Sequence, residues 1–122
     1  MSNVASTGYG RMPPAIITLY QAGPLKIING TMRWYAPYNC LVTSIYPRVV
    51  SSADAAVHIR IKKNGDALTT LIIGANQLDT SPYIVGVNML AGDYFTVDLI
   101  QNGSSAKPGA ELYVQFKYQF AT

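Results

Sequence analysis

Leu90-Ala91-Gly92-Asp93-Tyr94-Phe95-Thr96-Val97-Asp98-Leu99-Ile100-Gln101 is followed by the loop Asn102-Gly103-Ser104-Ser105-Ala106-Lys107-Pro108-Gly109, and then by Ala110-Glu111-Leu112-Tyr113-Val114-Gln115-Phe116-Lys117-Tyr118-Gln119-Phe120. This stretch decides the fold class. Both long runs alternate at period two, as strands with one buried face do. In the first, Phe95, Val97 and Leu99 share a face and Thr96 and Asp98 share the other. In the second, Leu112, Val114, Phe116, Tyr118 and Phe120 line one face, with Gln115, Lys117 and Gln119 on its reverse. A loop of Asn, Gly, Ser and Pro between two such runs predicts that they pair antiparallel.

Upstream the same grammar repeats. Tyr83–Met89 reads as a strand with Gly86 inside it, the mark of a bulge or a close backbone approach. Val57, Ile59 and Ile61 alternate with His58, Arg60 and Lys62, and Asn64-Gly65 then turns the chain into Ala67–Ile73. Cys40–Val50 is extended and carries Pro47, which implies an edge position or a bulge. Asn29-Gly30, between Leu25–Ile28 and Thr31–Tyr35, predicts a further hairpin. Ala15–Tyr20 reads as an edge strand ended by the turn Gln21–Pro24. About seven or eight strands at roughly ten-residue spacing, with no helical period, make an all-β sandwich or barrel. Val57, Ile59, Ile61, Phe95, Val97, Leu99, Leu112, Val114 and Phe116 are the expected core.

The chain of 122 residues is 49% apolar and only 12% charged, about half the usual charge content. One domain is expected, residues 15–122, and so sparse a charge suggests that something covers much of its surface. Residues 1–14 hold Gly8, Gly10, Pro13 and Pro14 and too few apolar side chains to fold alone, so the stretch reads either as a frayed terminus or as a flexible, extended N-terminal arm that orders on a partner. Val4, Tyr9, Met12 and Ile16 are its candidate anchors on a partner, and Arg11 its candidate charge contact. The net charge of +3 is spread over single basic residues, not the clustered basic face of a nucleic-acid binder, so no direct nucleic-acid partner is expected. The start lacks a signal-peptide pattern and no apolar run has membrane-spanning length, so cytoplasmic synthesis without a membrane partner is expected.

Catalytic chemistry finds little footing. The lone His58 shares its strand face with Arg60 and Lys62, which works against a role as base. Cys40, the single cysteine, reads as a small core hydrophobe. Asp54, Asp66, Asp79 and Asp93 fall in turns, where aspartate caps its own backbone. Asp98 and Glu111 remain, without the spacing of a metal loop. Asn29-Gly30-Thr31 and Asn102-Gly103-Ser104 match the glycosylation pattern but read as turns. No catalytic residue, cofactor or metal is expected. The nine tyrosines are the unusual feature: outward tyrosines such as Tyr113 stack on sugars or fill protein interfaces.

With these residues laid out, Ala36 to Phe120 resembles a family of small β-sandwich modules in bacteriophage virion proteins. The features that carry the resemblance are Ala36-Pro37-Tyr38, the strand ending Pro47-Arg48-Val49, Lys63-Asn64-Gly65, Leu90-Ala91-Gly92-Asp93-Tyr94, Val97-Asp98 and Leu112-Tyr113-Val114-Gln115-Phe116. The resemblance implies a jelly-roll-like antiparallel β-sandwich, a homotrimer, and a non-enzymatic structural protein of the virion made in the host cytoplasm. Such modules serve as capsid decoration (cement) proteins, head fibres and parts of tail fibres. No repeat or coiled-coil heptad supplies a fibre shaft here, which favours a decoration protein bound to the major capsid protein or another virion protein. The alternative is a receptor- or carbohydrate-binding module of a head or tail fibre.

Overall fold

The computed structural model describes residues 14–120, of which the strands make up most. Eight strands follow one another: β1 (Ala15–Pro24), β2 (Ile28–Tyr35), β3 (Cys40–Ser51), β4 (Val57–Lys63), β5 (Asp66–Ile73), β6 (Tyr83–Met89), β7 (Tyr94–Gln101) and β8 (Ala110–Phe120). They form two four-stranded sheets, sheet A in the order β1-β8-β3-β6 and sheet B in the order β2-β7-β4-β5. The antiparallel pairs β1–β8, β2–β7, β3–β6 and β4–β5 nest inside one another. That is the order produced when one long hairpin of strands is rolled up, and it makes the fold a jelly roll.

Inward side chains from both sheets fill the space between them. All nine residues expected in the core are buried, with Ile59, Ile61, Phe95, Val97, Leu99, Leu112, Val114 and Phe116 at 0% exposure and Val57 at 1%. Phe95 of sheet B and Phe116 of sheet A stack at 5.0 Å between ring centroids. The β4–β5 hairpin turns at Asn64 (φ 52°) and Gly65 (φ 88°), the left-handed pair that a two-residue loop needs to match strand twist.

Three local expectations change. The strands of the opening stretch, β7 and β8, lie in different sheets and meet only face to face. The loop between them crosses the sandwich, because Leu25 and Ala53 pack at its base and Asp54 accepts a hydrogen bond from the Ser104 amide at 2.7 Å. Asn29-Gly30 is no hairpin: it sits inside β2 as a bulge, where the register jumps from Ile28↔Leu99 to Met32↔Val97. Gly30, at φ 78°, gives the bulge the same left-handed residue that a tight turn would use. The turn expected at Gln21–Pro24 is likewise a bulge at the end of β1.

Pro47 lies in β3, a central strand, yet pairing with β6 ends at Ile45↔Tyr83. Its missing N–H therefore falls where β3 has become a local edge, as its chemistry requires. Gly86 marks a bulge as expected, since the β3–β6 register steps from Val42↔Val87 to Ser44↔Ile84.

Candidate functional site

The outer face of sheet A is built from short polar and apolar side chains arranged by the register. One row runs Ile16, Lys117, Ser44, Ile84 across β1, β8, β3 and β6. The next runs Thr18, Gln115, Tyr46, and a third runs Tyr20, Tyr113, Arg48. Tyr20 and Tyr113 stack at 4.6 Å, and the Arg48 guanidinium lies 5.9 Å from the Tyr46 ring centroid. Ile84 is 76% exposed, Val50 61%, Ile16 58% and Leu78 47%. Val50 and Leu78 line one hollow together, while Ile16 and Ile84 stand at opposite edges of the sheet with Lys117 and Ser44 between them.

Three adjoining hollows score this face into a groove. The first, about 490 Å³, lies between Pro24, Pro108 and Leu78. It shares Val50 and Leu78 with a second of about 440 Å³ beside Arg48 and Tyr113. Gln115 links that one to a third of about 260 Å³ between Tyr46, Pro82 and Ile16.

This face carries Lys117, Arg48 and, lining the first hollow, Lys107, together with Asp79 and Glu111. Both carboxylates are occupied. The Tyr46 hydroxyl donates to Asp79, and the Tyr20 hydroxyl and the Gly23 amide donate to Glu111. Glu111 adopts φ 61°, a left-handed strain that ordinary residues accept only where their surroundings hold them. The hydrogen bond from Tyr20 and that from Gly23 hold the Glu111 carboxyl below its usual range. The same contact, with burial adding to it, pushes the Tyr20 phenol up to about 12.

The fold disperses the residues weighed as chemistry. Cys40 is buried on the inner side of sheet A, and burial pushes its thiol up, with the Asp93 charge adding to the effect. His58 stands on β4 in sheet B, facing outward, so the two make no pair. Asp98 and Glu111 lie on opposite outer faces and make no carboxylate dyad. Among the described residues no cluster of three or more His, Cys, Asp and Glu side chains is placed to hold a metal ion. No helix among them is long and apolar enough to cross a membrane.

Of the arm residues, Val4, Tyr9, Arg11 and Met12 lie outside the described residues, and Ile16 is on the exposed face of β1.

Sheet B's outer face differs. Arg60 stands opposite Asp98, and Lys62 and Arg33 flank Thr96 from either side. Basic residues that look single in the sequence thus share a face, though its centre is a buried acid. Asp98 is 1% exposed; it accepts from the Gly30 amide at 2.8 Å and pairs with Lys62 Nζ at 2.8 Å. The β2 bulge is therefore pinned by a carboxylate on the neighbouring strand.

Three of the six motifs behind the family resemblance converge at one end of the sandwich. Ala36 and Asp93 are joined by an N–H···O bond of 2.8 Å, and the Gly92 amide returns one to the Ala36 carbonyl at 2.8 Å. Asn64 Nδ2 donates to Asp93 at 3.2 Å while its Oδ1 accepts from the Tyr94 amide at 3.0 Å. Ala36-Pro37-Tyr38, Lys63-Asn64-Gly65 and Leu90-Ala91-Gly92-Asp93-Tyr94 thus knit three connections together. Their work is to hold loops.

No family model matches the chain, and a search of curated proteins found no match. Among solved structures, the native structure of a family 35 carbohydrate binding module from Clostridium thermocellum is similar at a TM-score of 0.49 and 16% identity, over 90% of this chain and all of that one. At that level the likeness carries no argument about function, and the jelly-roll assignment stands on the strand order itself.

Proposed function

We propose that the chain is a non-enzymatic attachment module of a virion that decorates an assembled capsid, seating the outer face of sheet A on its partner. The observation that carries this reading is the set of exposed aliphatic side chains, Ile16, Ile84, Val50 and Leu78, on the outer face of sheet A. The resemblance of Ala36 to Phe120 to bacteriophage virion modules supports the virion setting. A module of this kind binds only the finished shell, so its binding free energy adds to the assembled state alone.

A second reading has its own observation. The stacked Tyr20–Tyr113 pair beside Gln115 and Arg48 offers ring faces and hydrogen-bonding groups along one groove, which also suits a glycan chain. The two separate by depletion. The protein is mixed with empty capsids of the virus that encodes it and with envelopes of its host, and the supernatant is assayed. Loss to capsids, abolished by Ile84→Lys, is the expected result. Loss to envelopes alone would replace decoration by receptor or glycan binding, and loss to neither would remove attachment through this face.

A further inference from the structure

On the outer face of sheet B, three groups from three strands meet at one point. Lys62 of β4 reaches across β7, and its Nζ lies 2.8 Å from Asp98 Oδ2 and 3.4 Å from Asn29 Oδ1 on the β2 bulge. An amine, a carboxylate and a carboxamide thus stand within reach of one another, although Asn29 and Lys62 are 33 residues apart in the chain.

The surroundings hold this arrangement. Asp98 Oδ1 accepts from the Gly30 amide at 2.8 Å, and Arg33 Nε donates to the Gly30 carbonyl at 2.8 Å, so the bulge that presents Asn29 is fixed from both sides. Asp98 is 1% exposed. Its Oδ2 accepts no well-aligned hydrogen bond among the described residues and has only the Lys62 ammonium beside it. One carboxylate oxygen therefore holds the backbone, and the other is left to exchange a proton with the amine.

We propose that Lys62 and Asn29 join through a side-chain amide bond, with Asp98 moving the protons. An ion pair taken out of water loses the hydration of both its charges. Passing one proton from the Lys62 ammonium to Asp98 Oδ2 replaces the pair by two neutral groups and frees the electron pair on nitrogen. That nitrogen attacks Asn29 Cγ, forming the new C–N bond and moving the carbonyl electrons onto Oδ1. Asp98 gives its proton to Asn29 Nδ2 and takes one from the attacking nitrogen. The Cγ–Nδ2 bond then breaks. Ammonia leaves into the water around the exposed Asn29 side chain and picks up the proton that Asp98 holds. One ammonium and one carboxamide become one secondary amide and one free ammonium ion, and Asp98 is again a carboxylate.

The bond ties β2 to β4 over the top of β7 and closes a loop of the chain, which stabilises by restricting the unfolded state as a disulfide does. With a single cysteine the chain has no internal disulfide to serve that end. The ion pair belongs to the newly folded chain and the amide to the chain that has stood. The inference concerns sheet B and does not rest on the attachment face.

The test follows the mass of the full chain from purification through days at neutral pH. The parent should convert to a species one ammonia lighter. Attack by the Gly30 amide on Asn29 would expel the same ammonia and leave a cyclic imide, so the site of the loss must be read as well. A tryptic digest of the lighter species should contain Ile27–Arg33 joined to Ile61–Lys63, with no cleavage after Lys62. Lys62→Arg, which keeps a cation beside Asp98, should hold its full mass throughout. A parent that never loses ammonia overturns the inference. So does a lighter species that also forms in Lys62→Arg, or one whose digest lacks the branched peptide. The digest of the parent decides the matter even if the variant does not fold.

Discussion

Replacing Asp98 by Asn removes a charge but little volume from a site that is 1% exposed. Two partners lose by it. Lys62 Nζ, 2.8 Å away, faces a neutral amide, and the Gly30 amide donates to a neutral oxygen instead of a carboxylate. Breaking a buried ion pair from one side costs about 3–5 kcal/mol. The Lys62 side chain is 21% exposed and can turn its ammonium to water, so the expected loss is about 2 kcal/mol for Asp98→Asn. Asp98→Ala also strips the bulge amide of its acceptor and should cost about 3–4 kcal/mol. Lys62→Met combined with Asp98→Asn should restore part of the loss, since no uncompensated charge remains. Urea unfolding of the three variants and the parent, at constant slope, measures all of these. A loss under about 0.5 kcal/mol for Asp98→Asn, or a double variant no better than the single one, would refute the claim that the pair pins the bulge.

Phe116→Ala should cost about 3–5 kcal/mol by denaturant melt, because Phe116 is fully buried and stacked on Phe95; a loss below about 1 kcal/mol would mean the site collapses around the gap. Glu111, held below its usual range, stabilises the fold above the ordinary glutamate value, and the benefit fades as pH falls through that range and lower. The stability gap between the parent and Glu111→Gln should therefore narrow from neutral pH toward pH ~2, as acid titrations followed by circular dichroism would show. Tyr20, raised to about 12, stabilises below the free-phenol range and loses that contribution as pH climbs through about 12, a loss absent in Tyr20→Phe. Gly103→Ala should lower the melting temperature, since a Cβ there would stand 2.1 Å from the Lys107 carbonyl oxygen and 2.7 Å from Asp54 Oδ1.

Period two made the inward faces readable: Val57 to Ile61, Phe95 to Leu99 and Leu112 to Phe116 show their burial in the order of their letters. Partnership was not readable. Asn29-Gly30 and Asn64-Gly65 are the same dipeptide, and both glycines are left-handed. One closes a hairpin and the other forms a bulge, a difference made by Asp98, sixty-eight residues away from Gly30. The loop Asn102–Gly109 has turn composition whether it joins neighbours in one sheet or crosses between two. Only the nesting of β1 with β8 and β2 with β7 decides that, and no local signal encodes it. The candidate attachment face was hidden for the same reason. Ile16, Val50, Leu78 and Ile84 come from separate segments and come onto one face only when sheet A assembles.

That β8 lies between β1 and β3 bears on how the protein is made. During synthesis the seven earlier strands emerge first, and β1 and β3 must wait for the strand that joins them. Sheet B, whose strands run only from β2 to β7, is complete in sequence before β8 appears. The nascent chain therefore carries a half-built sandwich whose apolar side faces water until Phe120 has cleared the ribosome, and folding dominated by such distant pairings is slow. Apolar surface and unpaired strand edges exposed for that interval are the features that make a folding chain prone to aggregate.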